Sequence, residues 1–305
     1  MSGQRVDAHQ HFWRRQRGDY TWLQDSDAAL APLCRDFEPA ELAPLLQAHG
    51  VAQTVLVQAA ATAAETDFLL DLAEANAFVA GVVGWVDLAA PDAAEQLARR
   101  RAQPLFKGVR PMLQDLPDPA WIARPGPVVA LRQAQRLGLR LDALVQPQHL
   151  AALAQALQQV PGLAVVVDHA AKPAWLGTGG AAGPAALQAW REGLQAIARL
   201  PGTVCKFSGL LTQLPVAAPR LVAADVAADV AALRPVWDAL LDAFGPARLM
   251  WGSDWPVLQL RADYAHWVAV CESLFGELSE TERAGVWGGN ARRFYALDRS
   301  STSME

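Results

Sequence analysis

The feature that most constrains this chain is a rhythm. Eight short apolar or β-branched runs recur along it, each followed by a longer stretch of helical periodicity. The runs are Arg5–Phe12, Gln53–Ala60, Gly81–Leu88, Leu105–Met112, Leu139–Gln146, Leu163–Ala170, Thr203–Leu210 and Arg248–Asp254. Their starts lie between 24 and 48 residues apart, which is room for a strand, a helix and two loops. Thr54-Val-Leu-Val57 and Ala164-Val-Val-Val167 are apolar on both faces, as strands of a parallel sheet covered by helices are. Thr62-x-x-Glu65 and Ser279-x-x-Glu282 read as capping boxes that open helices. Glu38-Pro39 opens another, with proline in the first turn, and Gly50 closes it.

Eight strand–helix alternations over about 250 residues predict an α/β fold, the (β/α)8 TIM barrel. The competing doubly wound open sheet is disfavoured, because no G-x-G-x-x-G or P-loop follows any strand. A chain of 305 residues would by size alone divide into two domains of about 150 residues. The rhythm instead runs through both halves, so residues 1–305 read as one barrel domain with loop insertions at its C-terminal face. Two segments depart from the rhythm: a Gly-rich loop at 173–184 that reads as a lid, and an Ala-, Pro- and Val-rich stretch at 211–233 that reads as a helical insertion.

Composition excludes several classes of partner. With 52% hydrophobic and 19% charged residues the chain can bury a large core and is not disordered. A net charge of −5 gives no electrostatic footprint for nucleic acid or for an anionic membrane. No secretory h-region opens the sequence and no uncharged apolar span of membrane length follows. Cys34, Cys205 and Cys271 are odd in number and far apart, which suits a reducing cytoplasm better than a disulfide framework. The expected partner is a small molecule, and the oligomeric state is left open.

In such a barrel catalysis sits where the strands end. The first run carries Asp7-Ala-His9-Gln-His11, and period-two alternation places Asp7, His9 and His11 on one face. Two imidazoles so spaced can converge on one ion, with Zn–N near about 2.0–2.1 Å. The sixth run ends in Asp168-His169 and the eighth in Asp254. Singly, His169 reads equally well as a packed histidine and Asp254 as an Asx-turn residue. Jointly, three imidazoles and a carboxylate at strand ends point to chemistry.

Asp7-x-His9-x-His11, the Asp168-His169 strand end and Gly252-Ser-Asp254-Trp-Pro256 resemble the amidohydrolase superfamily, and more narrowly its amidohydrolase-related branch. Within that branch, Phe106-Lys-Gly-Val-Arg-Pro-Met112, Asp168-His-Ala-Ala-Lys-Pro173, Cys205-Lys-Phe-Ser-Gly209 and Leu249-Met-Trp-Gly-Ser-Asp-Trp-Pro256 are similar to sugar lactonases of the fuconolactone and rhamnonolactone type. The similarity spans roughly residues 5 to 296, and it implies a cytoplasmic barrel hydrolase that opens a lactone. A departure limits the metal content. Many superfamily members end the fifth strand in a histidine, whereas Leu141-Asp-Ala-Leu-Val-Gln146 does not. His149 reads as an exposed residue at a helix start. A two-metal site is thus disfavoured, leaving one Zn²⁺ on His9, His11 and Asp254, or metal-free catalysis.

Lactone hydrolysis needs a deprotonated water, a polarised carbonyl and a protonated leaving oxygen. Asp254 is the expected base, and His169 the expected oxyanion stabiliser or proton donor. Lys107 and Arg110 have opposite parity on the fourth strand, and Arg110 is expected to face the substrate with its planar fork. Gln58 is expected to bond a sugar hydroxyl. Of the eleven tryptophans, Trp13, Trp22, Trp175 and Trp255 fall at C-terminal strand ends, where a carbohydrate-like ring stacks. Alternatives on the same scaffold are a 2-pyrone-4,6-dicarboxylate-type lactonase and a metal-dependent decarboxylase. Both take diacids, and Arg110 alone argues for a neutral polyol lactone instead. A sugar- or metal-binding barrel without turnover is disfavoured by Asp254 beside the H-x-H pair.

Overall fold

The computed structural model describes residues 4–173, 176, 183–215 and 225–297. Its eight strands are β1 (Arg5–Gln10), β2 (Val51–Val57), β3 (Val79–Gly84), β4 (Phe106–Val109), β5 (Arg140–Ala143), β6 (Val165–Val167), β7 (Thr203–Phe207) and β8 (Leu249–Trp251). They form one sheet in chain order, every neighbouring pair parallel. The ends meet where His11 N–H donates to Trp255 O and Asp254 N–H to His9 O, both at 2.8 Å. The result is the (β/α)8 barrel expected from the rhythm. Each strand is shorter than its apolar run, because the last residues of several runs leave the ladder to build the site.

Helices follow the strands: α1 (Pro39–Ala48), α2 (Ala63–Ala75), α3 (Ala93–Arg101), α4 (Pro125–Arg136), α5 (Leu150–Gln159), α6 (Gly183–Ala198), α7 (Val226–Phe244) and α8 (Tyr264–Phe275). Two short ones, α9 (Glu280–Ala284) and α10 (Asn290–Tyr295), complete the chain's course. The Ser279–Glu282 capping box forms in full. The one at α2 forms by half: Thr62 Oγ1 accepts from Glu65 N–H at 3.0 Å, but the Glu65 carboxylate turns away to accept from Ala59 and Ala60 N–H, both at 2.9 Å. It thereby fastens the β2–α2 loop. Of the 211–233 stretch, the last part is the regular helix α7, whose N-cap Asp225 accepts from Ala227 and Ala228 N–H. Residues 216–224, and most of the 173–184 loop with Trp175, lie outside the described residues.

Two apolar layers hold the barrel. An inner one of Val6, Ala8, Val55, Val57, Val166 and Met250 fills the lumen, with Tyr295 and Leu297 closing it from beneath. The outer layer, between sheet and helices, takes the large aromatics. Trp237 packs on Phe207 and Phe275 with ring centroids 5.2 and 4.6 Å apart, pairs worth about 0.5–1.5 kcal/mol each beyond the area they bury. No described helix is long and apolar enough to cross a membrane, and all three cysteines are free.

Candidate active site

The site begins with an irregularity in β1. Strict alternation would put Asp7, His9 and His11 on one face. Instead the β1–β2 register shifts between Asp7 and Gln10, as a bulge does when it re-aims side chains. Asp7 turns outward, accepting from Ser253 N–H at 2.8 Å and Tyr264 Oη–H at 3.1 Å. There it ties β1 to the end of β8 and to α8. His9 and His11 turn into the barrel mouth. The expectation that all three share a face therefore fails, and Asp7 is a structural tie.

The other two strand ends use left-handed backbone. After β6, residues His169, Ala170, Ala171 and Lys172 all have positive φ, from 46 to 57°, and Asp254 after β8 has φ 58°. Non-glycine residues hold that conformation only when their surroundings impose it, and such residues cluster at functional sites. Here the turn brings His169 and Lys172 to one cavity wall. Gly209 makes the space: it has φ 63°, and a Cβ there would stand 2.5 Å from His169 Nδ1 and 2.9 Å from Asp254 Oδ2.

Asp254 is the point of convergence. Its Oδ1 lies 3.2 Å from His11 Nε2, 3.7 Å from His9 Nε2 and 3.9 Å from His169 Nε2. Burial alone would raise its pKa, but the surrounding His169, His11 and His9 rings, which take up positive charge in acid, outweigh burial and hold the carboxyl below its ordinary range. The imidazoles move the other way: burial lowers His169 to about 4 and lowers His11. At neutral pH the site thus pairs an ionised carboxylate with uncharged imidazoles. His169 Nδ1 is bonded to Ser208 Oγ at 2.9 Å, which fixes its ring.

These groups open onto a cavity of about 240 Å³ lined by His11, Arg110, His169 and Asp254, together with Trp22, Lys172, Gln114 and Asp115. That is just under the usual span of ligand pockets, roughly 300–1,000 Å³, and suits a single small ring. Arg110 lines the cavity, while Lys107 donates to Ala296 O at 3.2 Å. Gln58 is corrected: it is fully buried, its Nε2 donates to Arg110 O at 2.6 Å, and its backbone carbonyl accepts from the Arg110 guanidinium. It clamps the arginine in place of a sugar hydroxyl. Trp13 and Trp255 are corrected likewise. Both are no more than 1% exposed and pack edge-on against Phe37, leaving no ring face for a ligand. Trp22 is the tryptophan that does line the cavity. His149 is buried, not exposed, and its Nδ1 accepts from Gln146 N–H at 3.0 Å as a cap.

Sequence reasoning missed the apolar wall of Leu30, Leu33, Leu144, Val257 and Leu260; the first two and the last two come from single 3-10 turns inserted after strands, and Leu144 stands just past the end of β5. It left Lys206 unassigned. That lysine lies fully buried beneath His9, 2.5 Å from Asp142 Oδ2, 3.0 Å from Asp168 Oδ1 and 3.0 Å from His9 Nδ1. Its position on β7 has the same parity as the lumen-facing Val204, which was the available signal.

Two groups bring metal-ligating atoms within 4.8 Å of one another: His9, His11 and Asp254, and His9, Asp168 and His169. The first contains a pair suited to a cation. His11 Nδ1 donates to Val57 O at 2.8 Å, so its uncharged ring presents a bare Nε2 to the Asp254 carboxylate. Two electron-pair donors 3.2 Å apart call for a cation or a proton between them.

The chain matches the amidohydrolase family model Amidohydro_2 over residues 6–297. It is 42% identical over 301 residues to L-fucono-1,5-lactonase of Burkholderia ambifaria, covering 97% of each chain. It is 39% identical over 299 residues to L-fucono-1,5-lactonase of Burkholderia multivorans, again covering 97% of each. An amidohydrolase from Burkholderia multivorans, solved with bound zinc, superposes with a TM-score of 0.85 at 38% identity, covering 96% of this chain and 99% of the other.

Proposed function

The chain belongs to the amidohydrolase family, and from that premise we propose that it is a hydrolase opening a sugar-acid lactone of the L-fucono-1,5-lactone kind by attack of water on the ring ester. One observation carries the reading at the level of the site: the ionised Asp254 faces the cavity with three imidazoles converging on it. Similarity to two L-fucono-1,5-lactonases supports the substrate class.

Asp254 takes the proton from the attacking water, a role worth about 10²–10⁴ in rate for a well-placed base. His169 and Arg110 aim N–H donors at the cavity and stabilise the charge that develops on the carbonyl oxygen as water adds to the carbon. Because the His169 ring is uncharged at neutral pH, it acts first as a hydrogen-bond donor. As the ring opens, the alkoxide receives through His169 the proton that Asp254 took from the water, so that the carboxylate and the neutral ring are both restored. The cavity lining holds two cations, Arg110 and Lys172, against two carboxylates, Asp115 and Asp254. That balance favours a neutral ring over a diacid. The apolar wall complements the methyl and C–H face of a deoxy sugar, and Trp22 offers a ring for stacking.

A single divalent ion, zinc in our reading, would be held by His11 and Asp254 with His9 as the third candidate ligand. When bound it supplies a water of pKa near about 7. The three free thiols support a reducing, cytoplasmic setting.

The test is acid release from a panel of aldonolactones followed with a pH indicator, with and without chelator. Turnover of a fuconolactone-like ring is expected. Absence of acid release from every lactone overturns the reading, and full activity after rigorous metal removal removes zinc while keeping the lactonase.

A further inference from the structure

The cavity has two unlike sides. Leu30 and Leu33 follow β1, and Val257 and Leu260 follow β8, whereas Gln114 follows β4 and Lys172 follows β6. The barrel closes between β1 and β8, so β4 to β6 lie across from them. Trp22, which also follows β1, has its Nε1–H bonded to Ala59 O at 2.9 Å and offers the cavity only its ring. Aliphatic and aromatic side chains therefore face hydrogen-bonding ones over a space suited to one small ring.

The polar side grows out of the loops that carry Arg110 and His169. Lys172 N–H donates to His169 O at 2.8 Å, and the left-handed backbone at Lys172, with φ 46°, closes the turn that fixes the lysine beside that histidine. Lys172 Nζ donates to Gln114 Oε1 at 2.6 Å, which joins the loop after β6 to the loop after β4. An ammonium has three N–H groups and no acceptor. It takes the oxygen of the Gln114 amide and leaves the amide NH2 group to point elsewhere. Among the described residues Lys172 has no carboxylate in ion-pair contact, whereas Lys206 has two. The remaining N–H groups of Lys172 are left for an acceptor in the cavity.

We propose that Lys172, held by Gln114, is a specificity-determining residue that donates to a ring hydroxyl of the lactone on one of the two carbons nearest the carbonyl. This deepens the lactonase reading and rests on it. Arg110 and His169 serve the carbonyl, and Lys172 and Gln114 continue their loops, so the hydroxyls within reach are those on the carbons next to the ester carbon. The carbon on the other side of the ring oxygen, with its methyl group, then meets the leucines and Val257. A ring turned over would press hydroxyls against that apolar side and leave the ammonium without its acceptor, and a buried polar group left unpaired is what gives such a site its selectivity.

The test crosses Lys172→Met with deletions in the substrate. Fuconolactone, its 2-deoxy and 3-deoxy forms, and the lactone with hydroxymethyl in place of methyl are compared by kcat/KM. Lys172→Met is expected to lose about 10- to 100-fold on fuconolactone, the worth of a hydrogen bond to a charged group. That loss is expected to shrink below about 3-fold on one of the two deoxy lactones, because the bond is already gone, and to persist on the hydroxymethyl lactone. An equal loss on every lactone means a structural role and overturns the proposal, as does no loss on any. Lys172→Gln is carried through the same comparison, so a folding failure of Lys172→Met does not decide it. Should the unmodified enzyme turn over no lactone, the lactonase reading fails by itself. The same cross is then read as calorimetric affinity for fucose and its deoxy forms: the same pattern upholds the lysine as a hydroxyl anchor, and absence of binding overturns it.

Discussion

The rim and the floor of the barrel mouth are built from the same side chains and put to opposite uses. At the rim, Asp254, His11, His169, Arg110 and Lys172 face a cavity, and part of their hydrogen-bonding capacity is left for a ligand to complete. On the floor, Lys206, Asp142, Asp168 and Tyr295 are sealed, and one ammonium is shared between two carboxylates. Charge at the rim can respond to a substrate, whereas charge on the floor is locked because removing any partner strands an ion in a medium that solvates it poorly. The comparison teaches that one lysine–carboxylate cluster can be structural and still reach the chemistry, through the single ring of His9 that joins the two layers.

Breaking the rim should cost rate and not stability. Asp254→Asn is expected to lower kcat by about 10³-fold, with the melting temperature within a few degrees of the parent. A comparable loss of stability would merge rim with floor. Breaking the floor should do the reverse. Lys206→Met alone is expected to cost about 3–5 kcal/mol in denaturant unfolding, and a well-folded single variant of parental stability would contradict the picture of a locked floor.

The tryptophans sharpen the contrast at smaller scale. Trp13→Ala is expected to destabilise by about 3–5 kcal/mol through a core cavity, with KM for the lactone unchanged. Trp22→Ala is expected to raise KM by about 3- to 10-fold, the worth of one ring contact, with little effect on stability. Interchanged outcomes would relocate the substrate.

The smallest effect tests a loop outside both layers. Burial raises the Glu65 pKa to about 8 from an ordinary 4.5, against the pull of the Ala59 and Ala60 N–H donors. The folded state therefore binds a proton more tightly than the unfolded one. Stability from this group is present below pH ~4.5 and is lost as pH rises through about 8. Glu65→Gln should flatten that decline, by an amount on the order of 1 kcal/mol since the two backbone donors already offset part of the burial. Parallel pH–stability curves for parent and variant would remove Glu65 from the account.

Much of the barrel was legible because periodicity is a local property. Eight apolar runs and their caps are written residue by residue, and the sheet that forms follows them in order. Two strand-end acids and three histidines were legible for a related reason: the fold sends strand ends to one face, so their position along each run located them. The failures share a cause. Asp7 was assigned to the wrong face because a register shift is set by the neighbouring strand. Trp13 and Trp255 were assigned to substrate because proximity to a strand end does not reveal which way a ring packs. Gln58 was assigned to a hydroxyl because its partner, Arg110, is 52 residues away in the chain. Most of the pocket's apolar wall comes from two short 3-10 turns, Ala28–Leu33 and Val257–Leu260, too short to carry a helical period.

By itself the sequence determined the alternation, the parallel barrel, the polar residues at the strand ends and the resemblance that frames them, since each depends on spacing along the chain. Tertiary structure alone decided which of those residues meet, and that a lysine on β7 and a tyrosine from α10 stand behind His9. Hydrogen bonds and charges act over a few ångströms of space, and only the closed barrel brings residues 9, 142, 206 and 295 within that range.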